Sequence, residues 1–124
     1  MGMAKLDELL AEAEATNIKM REAAASKTED GARGVIGLRT KFAELMAQSV
    51  AAMHADQRLK DNPGVRREFE TRFFALRQKL AHHQAKWRKS LIDSDPAGYR
   101  ASVEELNALQ DAFYPWAKGE LAKL

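Results

Sequence analysis

The stretch FETRFFALRQKLAHHQAKWRKSL, Phe69 to Leu91, decides the fold of this protein. Its large apolar residues and one histidine recur at intervals of three or four residues: Phe69, Phe73, Leu76, Leu80, His83, Trp87 and Leu91. Residues at this spacing share one side of an α-helix. The stretch therefore predicts an amphipathic helix with one buried stripe, in which His83 occupies a position that ordinarily carries leucine.

Turn signals on both sides of this stretch delimit the neighbouring helices. In KDNPGV, Pro63 suits the first helical position after an N-cap at Asp61 or Asn62, because proline needs no N–H partner there. DSDPAG repeats the arrangement around Pro96, with an N-cap at Ser94 or Asp95. The sequence therefore predicts four helical segments, at roughly residues 4–26, 32–59, 64–92 and 96–124.

The other segments carry apolar stripes of unequal quality. The stripe of the second segment consists of Val35, Leu38, Phe42, Leu45, Met46, Val50 and Met53. The stripe of the fourth consists of Tyr99, Val103, Leu106, Leu109, Phe113 and Ala117. In the first segment the stripe begins at Leu6, Leu10 and Ala13 but drifts to Asn17 and Met20. The first helix is the least certain, and a loosely docked arm is the alternative for it.

Pro115 interrupts the pattern of the fourth segment. Proline has no N–H to bond to the Asp111 carbonyl, and its ring clashes with that carbonyl in a regular helix. Proline also disfavours a helical backbone at the preceding residue, Tyr114. The sequence therefore predicts a kink or break at Phe113–Tyr114, near the end of the fourth helix.

The composition favours an all-α fold. Of 124 residues, 22 are alanine and only seven are valine or isoleucine, so helix formers dominate. Short connections between long helices favour antiparallel neighbours. We predict one domain spanning residues 1–124, folded as an antiparallel up-down-up-down four-helix bundle. A three-helix core that completes its fourth wall by dimerising is the alternative.

Several classes of protein are excluded or disfavoured by the same sequence. Without cysteine there is no disulfide, thiolate nucleophile or cysteine-based zinc site. No apolar run approaches the roughly 18 residues of a membrane span, and no secretory signal peptide begins the sequence. We expect a cytoplasmic protein of bacterial type without membrane contact. With no cofactor fingerprint and no nucleophile–base pair among the motifs, we expect no cofactor and no enzymatic activity.

The adjacent histidines of LAHHQAKW are the first candidate site, a polar site of His82, His83 and Lys86. Neighbouring helical positions point about 100° apart, so the two imidazoles cannot easily chelate one ion, and we expect no metal. The motif resembles the His-x-x-Lys motif of histidine phosphotransfer domains, which are four-helix bundles of similar length. The resemblance implies His83 and Lys86 as the matching pair, although Trp87 stands where that family has glycine.

The basic third segment is the second candidate site. Residues 63–92 carry eight cations and two anions, whereas residues 93–124 carry three and six. Phosphate contacts would come from Arg66, Arg67, Arg77, Lys79, Lys86, Arg88 and Lys89. These cations point in several directions around the helix, and the acidic fourth segment can neutralise them. Nucleic-acid binding is therefore an alternative function.

Three aromatic residues outside the stripes are the third candidate site. Phe74 lies beside the stripe of the third segment, and Tyr114 and Trp116 flank Pro115, where both cannot face the core alongside Phe113. Exposed aromatic side chains are frequent anchors of protein interfaces. The leading hypothesis is a non-enzymatic helical protein that binds a protein partner or forms a homo-oligomer through Phe74, Tyr114 and Trp116, as an adaptor, chaperone-like partner or regulator.

Overall fold

The described part of the chain is helical throughout, as predicted. A computed structural model describes residues 4–25 and 29–124, without the side chains of residues 24–33 and of Lys89. Ser26, the predicted end of the first helix, lies outside the described residues. The described residues form six helices: α1 (Lys5–Ala25), α2 (Glu29–Ala55), α3 (Gln57–Asp61), α4 (Pro63–Lys86), α5 (Lys89–Ser94) and α6 (Pro96–Lys123).

The chain divides into two compact units, Met1–Asp61 and Asn62–Leu124. In the first unit α1 packs along α2 as an antiparallel pair. A Cβ atom at Gly34 would lie 3.9 Å from the Cβ of Ala23 near one end of the pair. At the other end, Asp7 near the start of α1 reaches Arg58, just beyond α2.

The first unit corrects the expectation for helix 1. The buried apolar side chains of α1 are Leu6, Leu9, Leu10 and Ala13, all at most 3% exposed. From α2, buried side chains include Phe42, Leu45, Met46 and Met53. The hypothesis of a loosely docked arm is therefore wrong, because α1 contributes a full stripe to the core. Polar residues of these helices are buried as well, among them Asn17 of α1 and Ser49 of α2. The Ser49 hydroxyl donates a hydrogen bond to the Leu45 carbonyl.

Asp56 divides the predicted second helix into α2 and α3. Its carboxylate accepts a hydrogen bond from the backbone N–H of Leu59 at 3.3 Å, so it serves as the cap of a new helix. The same carboxylate binds the Arg58 guanidinium through two bonds, of 2.7 and 3.1 Å. Arg58 also donates to Asp7 of α1 at 2.5 Å. One arginine therefore fastens the five-residue α3 to the start of α1.

This ion pair predicts a pH dependence of stability. The hydrogen bond from Arg58 holds the pKa of Asp56 below its ordinary value of 3.8, and the Asp56 side chain is only 5% exposed. Because the folded pKa is depressed, the stabilisation is present above about pH 4 and is lost as the pH falls through the folded pKa. We expect Asp56→Asn to lower the free energy of unfolding by about 1 kcal/mol at pH 7.

Urea denaturation at a series of pH values measures this effect. The difference between Asp56→Asn and the wild type should shrink towards zero as the pH falls through the folded pKa of Asp56, because the wild-type carboxylate is then protonated as well. Asp61→Asn is the control, since the Asp61 carboxylate accepts an exposed hydrogen bond from the Gln57 side chain. A difference at Asp56 that stays constant down to acid pH would contradict the expectation.

In the second unit, α4 and α6 run antiparallel. Phe69 near the start of α4 packs against Phe113 near the end of α6, and His83 near the end of α4 bonds to Ser102 near the start of α6. The predicted stripe of α4 is largely confirmed: Phe69, Phe73, Leu76, His83 and Trp87 are buried, whereas Leu80 and Leu91 are half-buried. In α6, Leu109 of the predicted stripe is exposed, and Gln110 is buried beside it.

Trp87 ends α4 earlier than the sequence predicts. The helix was expected to run to Ile92, but the backbone leaves helical geometry at Trp87, where ψ is 77°, and is extended at Arg88 before α5 begins. The turn places the indole of Trp87 edge-on against Tyr99 of α6, with ring centroids 5.7 Å apart. The packing of Trp87 therefore outweighs the helical preference of the residues that follow it.

The predicted starts of the third and fourth helices are confirmed, whereas α2 begins at Glu29 instead of residue 32, and the predicted break at Pro115 is wrong. Asn62 and Asp95 are the N-cap residues of α4 and α6, with Pro63 and Pro96 directly after them. By contrast, α6 continues through Pro115 to Lys123. Proline inside a helix costs about 3 kcal/mol. The buried side chains around it offset that cost: Phe113, Tyr114, Ala117 and Leu121.

Candidate functional site

A polar cleft of the second unit lies between the end of α4 and the start of α6. Its volume is about 330 Å³. The side chains that line it come from both helices and from the turn before α6: Lys79, His82, His83, Lys86, Trp87, Asp95, Gly98, Ala101, Ser102, Glu105 and Leu106. The three residues of the predicted polar site, His82, His83 and Lys86, thus share one cleft.

His83 is fixed by contacts with α6. Its side chain is buried, its Nδ1 atom lies 2.7 Å from the Ser102 hydroxyl, and its ring stacks on Tyr99 with centroids 5.7 Å apart. A hydrogen bond and an aromatic stack on one imidazole fix both its position and its orientation. The polar residue of the apolar stripe therefore joins α4 to α6 in a defined register.

Ser102 and Tyr99 were missed as site residues because they lie far from His83 in sequence. Ser102 is 19 residues away and belongs to no motif around the histidines. The one available signal is the pairing of stripes: once Phe69 is placed opposite Phe113, an antiparallel partner brings Tyr99 opposite His83 and Ser102 within one helical turn of it. Sequence periodicity gives the stripes but not their register, so this signal depends on knowing one contact.

His82 and Lys86 are exposed, in contrast to His83. The Lys86 ammonium lies over the Trp87 ring, 5.0 Å from its centroid, which is a cation–π contact. His82 lines the cleft beside Lys79 and Lys86, three residues before and four after it. The histidine phosphotransfer hypothesis stays a prediction. Of its two histidines, His83 is buried against α6 and His82 is exposed.

The charges of the cleft come from both walls. Lys79 and Lys86 stand on the α4 wall, and Asp95 and Glu105 stand on the α6 side. The Lys79 ammonium donates to Glu105 at 2.6 Å and holds the pKa of that exposed carboxyl below its ordinary value. Asp95 accepts a hydrogen bond from the backbone N–H of Gly98 at 3.0 Å. The cleft is thus basic along α4 and acidic along α6.

In this cleft the backbone of Gly98 lies directly against the side chains of Asp95 and Trp87. A Cβ atom there would lie 2.3 Å from an Asp95 carboxylate oxygen and 2.9 Å from the Trp87 ring. We expect Gly98→Ala to lower the free energy of unfolding by about 1 kcal/mol or more, because it displaces either the cap or the indole.

Thermal and urea denaturation of Gly98→Ala and Gly119→Ala test this expectation as a pair. Gly119 lies in the same helix, with open space where its Cβ atom would be. Alanine there should raise the free energy of unfolding by about 0.5–1 kcal/mol, because it restores helix propensity without a clash. If both substitutions change the free energy of unfolding in the same direction, the contacts around Gly98 do not exclude a methyl group at this position.

The structure separates the three predicted interface aromatics. Tyr114 is only 2% exposed, with its hydroxyl donating to the Gln110 side chain at 3.1 Å, so the expectation that it lies outside the core is wrong. Trp116 is half-buried, and its ring lies 5.8 Å from that of Phe69. Phe74 is 40% exposed. Phe74 and Trp116 stay predicted contact residues, whereas Tyr114 has almost no surface to offer.

Phe74 and Trp116 do not share one patch. The guanidinium of Arg72 covers the Trp116 ring at 4.4 Å from its centroid. Positions two apart on a helix point about 200° apart, so Phe74 projects from nearly the opposite side of α4. Leu109 was predicted to belong to the buried stripe of the fourth segment, but its side chain is 36% exposed. It lines a shallow depression of about 450 Å³ together with Ala75, Gln78, Lys79 and His82.

Several cations of the predicted basic face already have acidic or aromatic partners. Lys79 pairs with Glu105, Lys86 lies over Trp87, and Arg66 lies 3.9 Å from Glu70. The side chain of Lys89 lies outside the described residues. These three cations are thus engaged within the protein, and nucleic-acid binding by the basic helix stays a prediction.

Within residues 4–25 and 29–124, no three side chains of the metal-ligating types lie close enough together to hold an ion. In the same ranges, no helix combines the length and apolar character required to cross a bilayer. Comparison with known proteins gives no assignment, since no protein-family model, curated protein or solved structure matches this chain.

Proposed function

We propose that this protein is a non-enzymatic helical-bundle protein that acts by binding another protein or a second copy of itself. Such a role is that of an adaptor, a chaperone-like partner or a regulator, in the cytoplasm of a bacterium. The observation that carries the proposal is the exposure of two large apolar side chains in the second unit, Phe74 and Leu109. Leu109 lines an apolar depression, and exposed apolar side chains beside a depression are typical of protein-binding surfaces.

The bonding of the polar cleft supports a role without catalysis. Ser102 and His83 lie within hydrogen-bond distance, as a nucleophile and a base would. However, His83 is buried and stacked on Tyr99, and Lys79 of the cleft wall is paired with Glu105. We interpret the His83–Ser102 bond as a contact that sets the register of α4 against α6.

The four-helix bundle belongs to the same proposal. Each unit contributes two long antiparallel helices, α1 with α2 and α4 with α6. An up-down-up-down bundle is built from two such pairs. The two compact units are equally compatible with separate folding of the halves. The stability measurements proposed in the Discussion distinguish one cooperative domain, residues 1–124, from two.

Substitution of the two exposed side chains tests the proposed function. We expect Phe74→Ala combined with Leu109→Ala to abolish either self-association, measured by sedimentation equilibrium, or recovery of a partner from native lysate. Truncating interface anchors typically costs about 2 kcal/mol each, which is more than tenfold in affinity.

Ile36→Ala is the matched control, because Ile36 is an exposed apolar side chain of the first unit. It should leave association and partner recovery unchanged. Circular dichroism of both variants verifies that the fold is retained. Wild-type association and partner recovery in the Phe74, Leu109 double variant would contradict the proposed function.

A further inference from the structure

The polar cleft and the apolar depression of the second unit adjoin along α4, because they share two lining residues, Lys79 and His82. Together they are called the α4–α6 groove. On α4 the lining extends from Ala75 to Lys86. With a rise of 1.5 Å per residue, this span is about 16 Å, the length of three helical turns. The groove therefore has the length of a short docked helix.

Three cations follow the groove at equal intervals. Arg72, Lys79 and Lys86 are each seven residues apart, so they repeat on one side of α4 about every 10.5 Å. Lys79 and Lys86 line the groove, and Arg72 lies one turn before Ala75, over the Trp116 ring. A partner helix with carboxylates at the same heptad interval would match this row.

The opposite wall of the groove carries the other sign of charge. Asp95 and Glu105 line it on the α6 side, and the apolar floor between the walls includes Ala75, Leu106 and Leu109. A phosphate backbone would be attracted by one wall and repelled by the other. An amphipathic helix with one acidic edge, one basic edge and small apolar residues between them complements both walls and the floor.

The present partners of the cations are exchangeable. Lys79 and Glu105 are 54% and 57% exposed, and exposed ion pairs contribute only about 0–1 kcal/mol. Arg72 makes an exposed bond to Glu68 at 2.7 Å, and Lys86 has a cation–π contact. Carboxylates of a docked helix can therefore replace or share these partners without unfolding any part of the unit.

We propose that the α4–α6 groove binds an amphipathic helix of a partner protein, about three turns long, whose carboxylates face Arg72, Lys79 and Lys86 at seven-residue intervals. This inference rests on the proposed function and names the kind of partner. The leucine or alanine side chains of that helix pack on Leu109 and Ala75, and its basic edge faces Asp95 and Glu105.

A designed helical peptide provides the test. The probe is a labelled 18-residue peptide with alanine and leucine at core positions, glutamate at heptad intervals on one edge and lysine on the other. Fluorescence anisotropy with the full chain should show saturable binding. Lys79→Glu combined with Lys86→Glu should weaken it at least about tenfold, because like charges then face each other. A peptide with lysine in place of the glutamates should restore binding to that variant.

Arg77→Glu is the matched control, since position 77 points about 200° away from Lys79 on the same helix and should leave peptide binding unchanged. The proposal is overturned if the peptide does not bind, if the lysine peptide does not rescue the double variant, or if an oligonucleotide of single or double strand binds more tightly in the same assay. It is also overturned if the wild type self-associates through this groove, with Lys79→Glu abolishing the dimer. A failed peptide with a sensitive Phe74, Leu109 variant would reject the docked helix but retain the proposed function.

Discussion

Phe113→Ala should lower the free energy of unfolding by about 3–5 kcal/mol. The Phe113 ring is the centre of the aromatic cluster of the second unit. It lies within 5.5–6.3 Å, between centroids, of the rings of Tyr114, Phe69, Phe73 and Trp116. Removing it leaves a cavity that four large rings cannot fill without shifting their helices. Its cost therefore includes both the lost apolar burial and the lost aromatic contacts.

Urea denaturation followed by circular dichroism measures this loss. Phe74→Ala is the matched control, because it also removes a phenylalanine ring, in this case from α4. The Phe74 ring is 40% exposed, and among the described aromatic pairs it packs against Phe73 alone. We expect the control to change the free energy of unfolding by less than about 1 kcal/mol. A Phe113→Ala protein within about 1 kcal/mol of the wild type would show that the aromatic cluster is not the core of the unit.

Leu59→Ala should lower the free energy of unfolding by about 2–4 kcal/mol. Leu59 is fully buried although it belongs to α3, a helix of only five residues. So short a helix has no stability of its own and forms only because it is held in place. Leu59 and the Asp7–Arg58–Asp56 ion pairs hold it. Of these, the apolar side chain should contribute more, because the ion pairs are partly exposed.

Lys60→Ala is the control for this substitution. Lys60 is the next residue of α3 and is exposed, so alanine there should be nearly neutral. A neutral Leu59→Ala would mean that α3 makes no contribution to the stability of the first unit.

The two large substitutions together also test the domain organisation. Phe113 belongs to the second unit and Leu59 to the first. If residues 1–124 fold as one cooperative domain, each substitution should shift the same single transition, seen identically by tryptophan fluorescence and by circular dichroism. Both tryptophans, Trp87 and Trp116, lie in the second unit. A Leu59→Ala protein with an unchanged fluorescence transition would show that the halves unfold separately.

The candidate site was only partly accessible to sequence reasoning. His82, His83 and Lys86 were singled out by adjacency, and all three line the cleft. Ser102, which bonds to His83, could not be identified because a hydrogen bond across 19 residues leaves no local pattern. The prediction for Tyr114 was wrong because a local signal was present but misleading. Proline next to it suggested a broken helix and an exposed ring, but the ring is buried.

The sequence by itself determined the helical segments, the starts of α4 and α6 and most of the buried stripes. These features depend on short-range physics: the 3.6-residue period, the capping side chain and the tolerance of proline in the first turn. Only the tertiary structure decided where helices stop. It ended α4 just before Trp87, divided the predicted second helix at Asp56 and kept α6 intact through Pro115, because packing of distant side chains outweighs local preferences of a few kcal/mol.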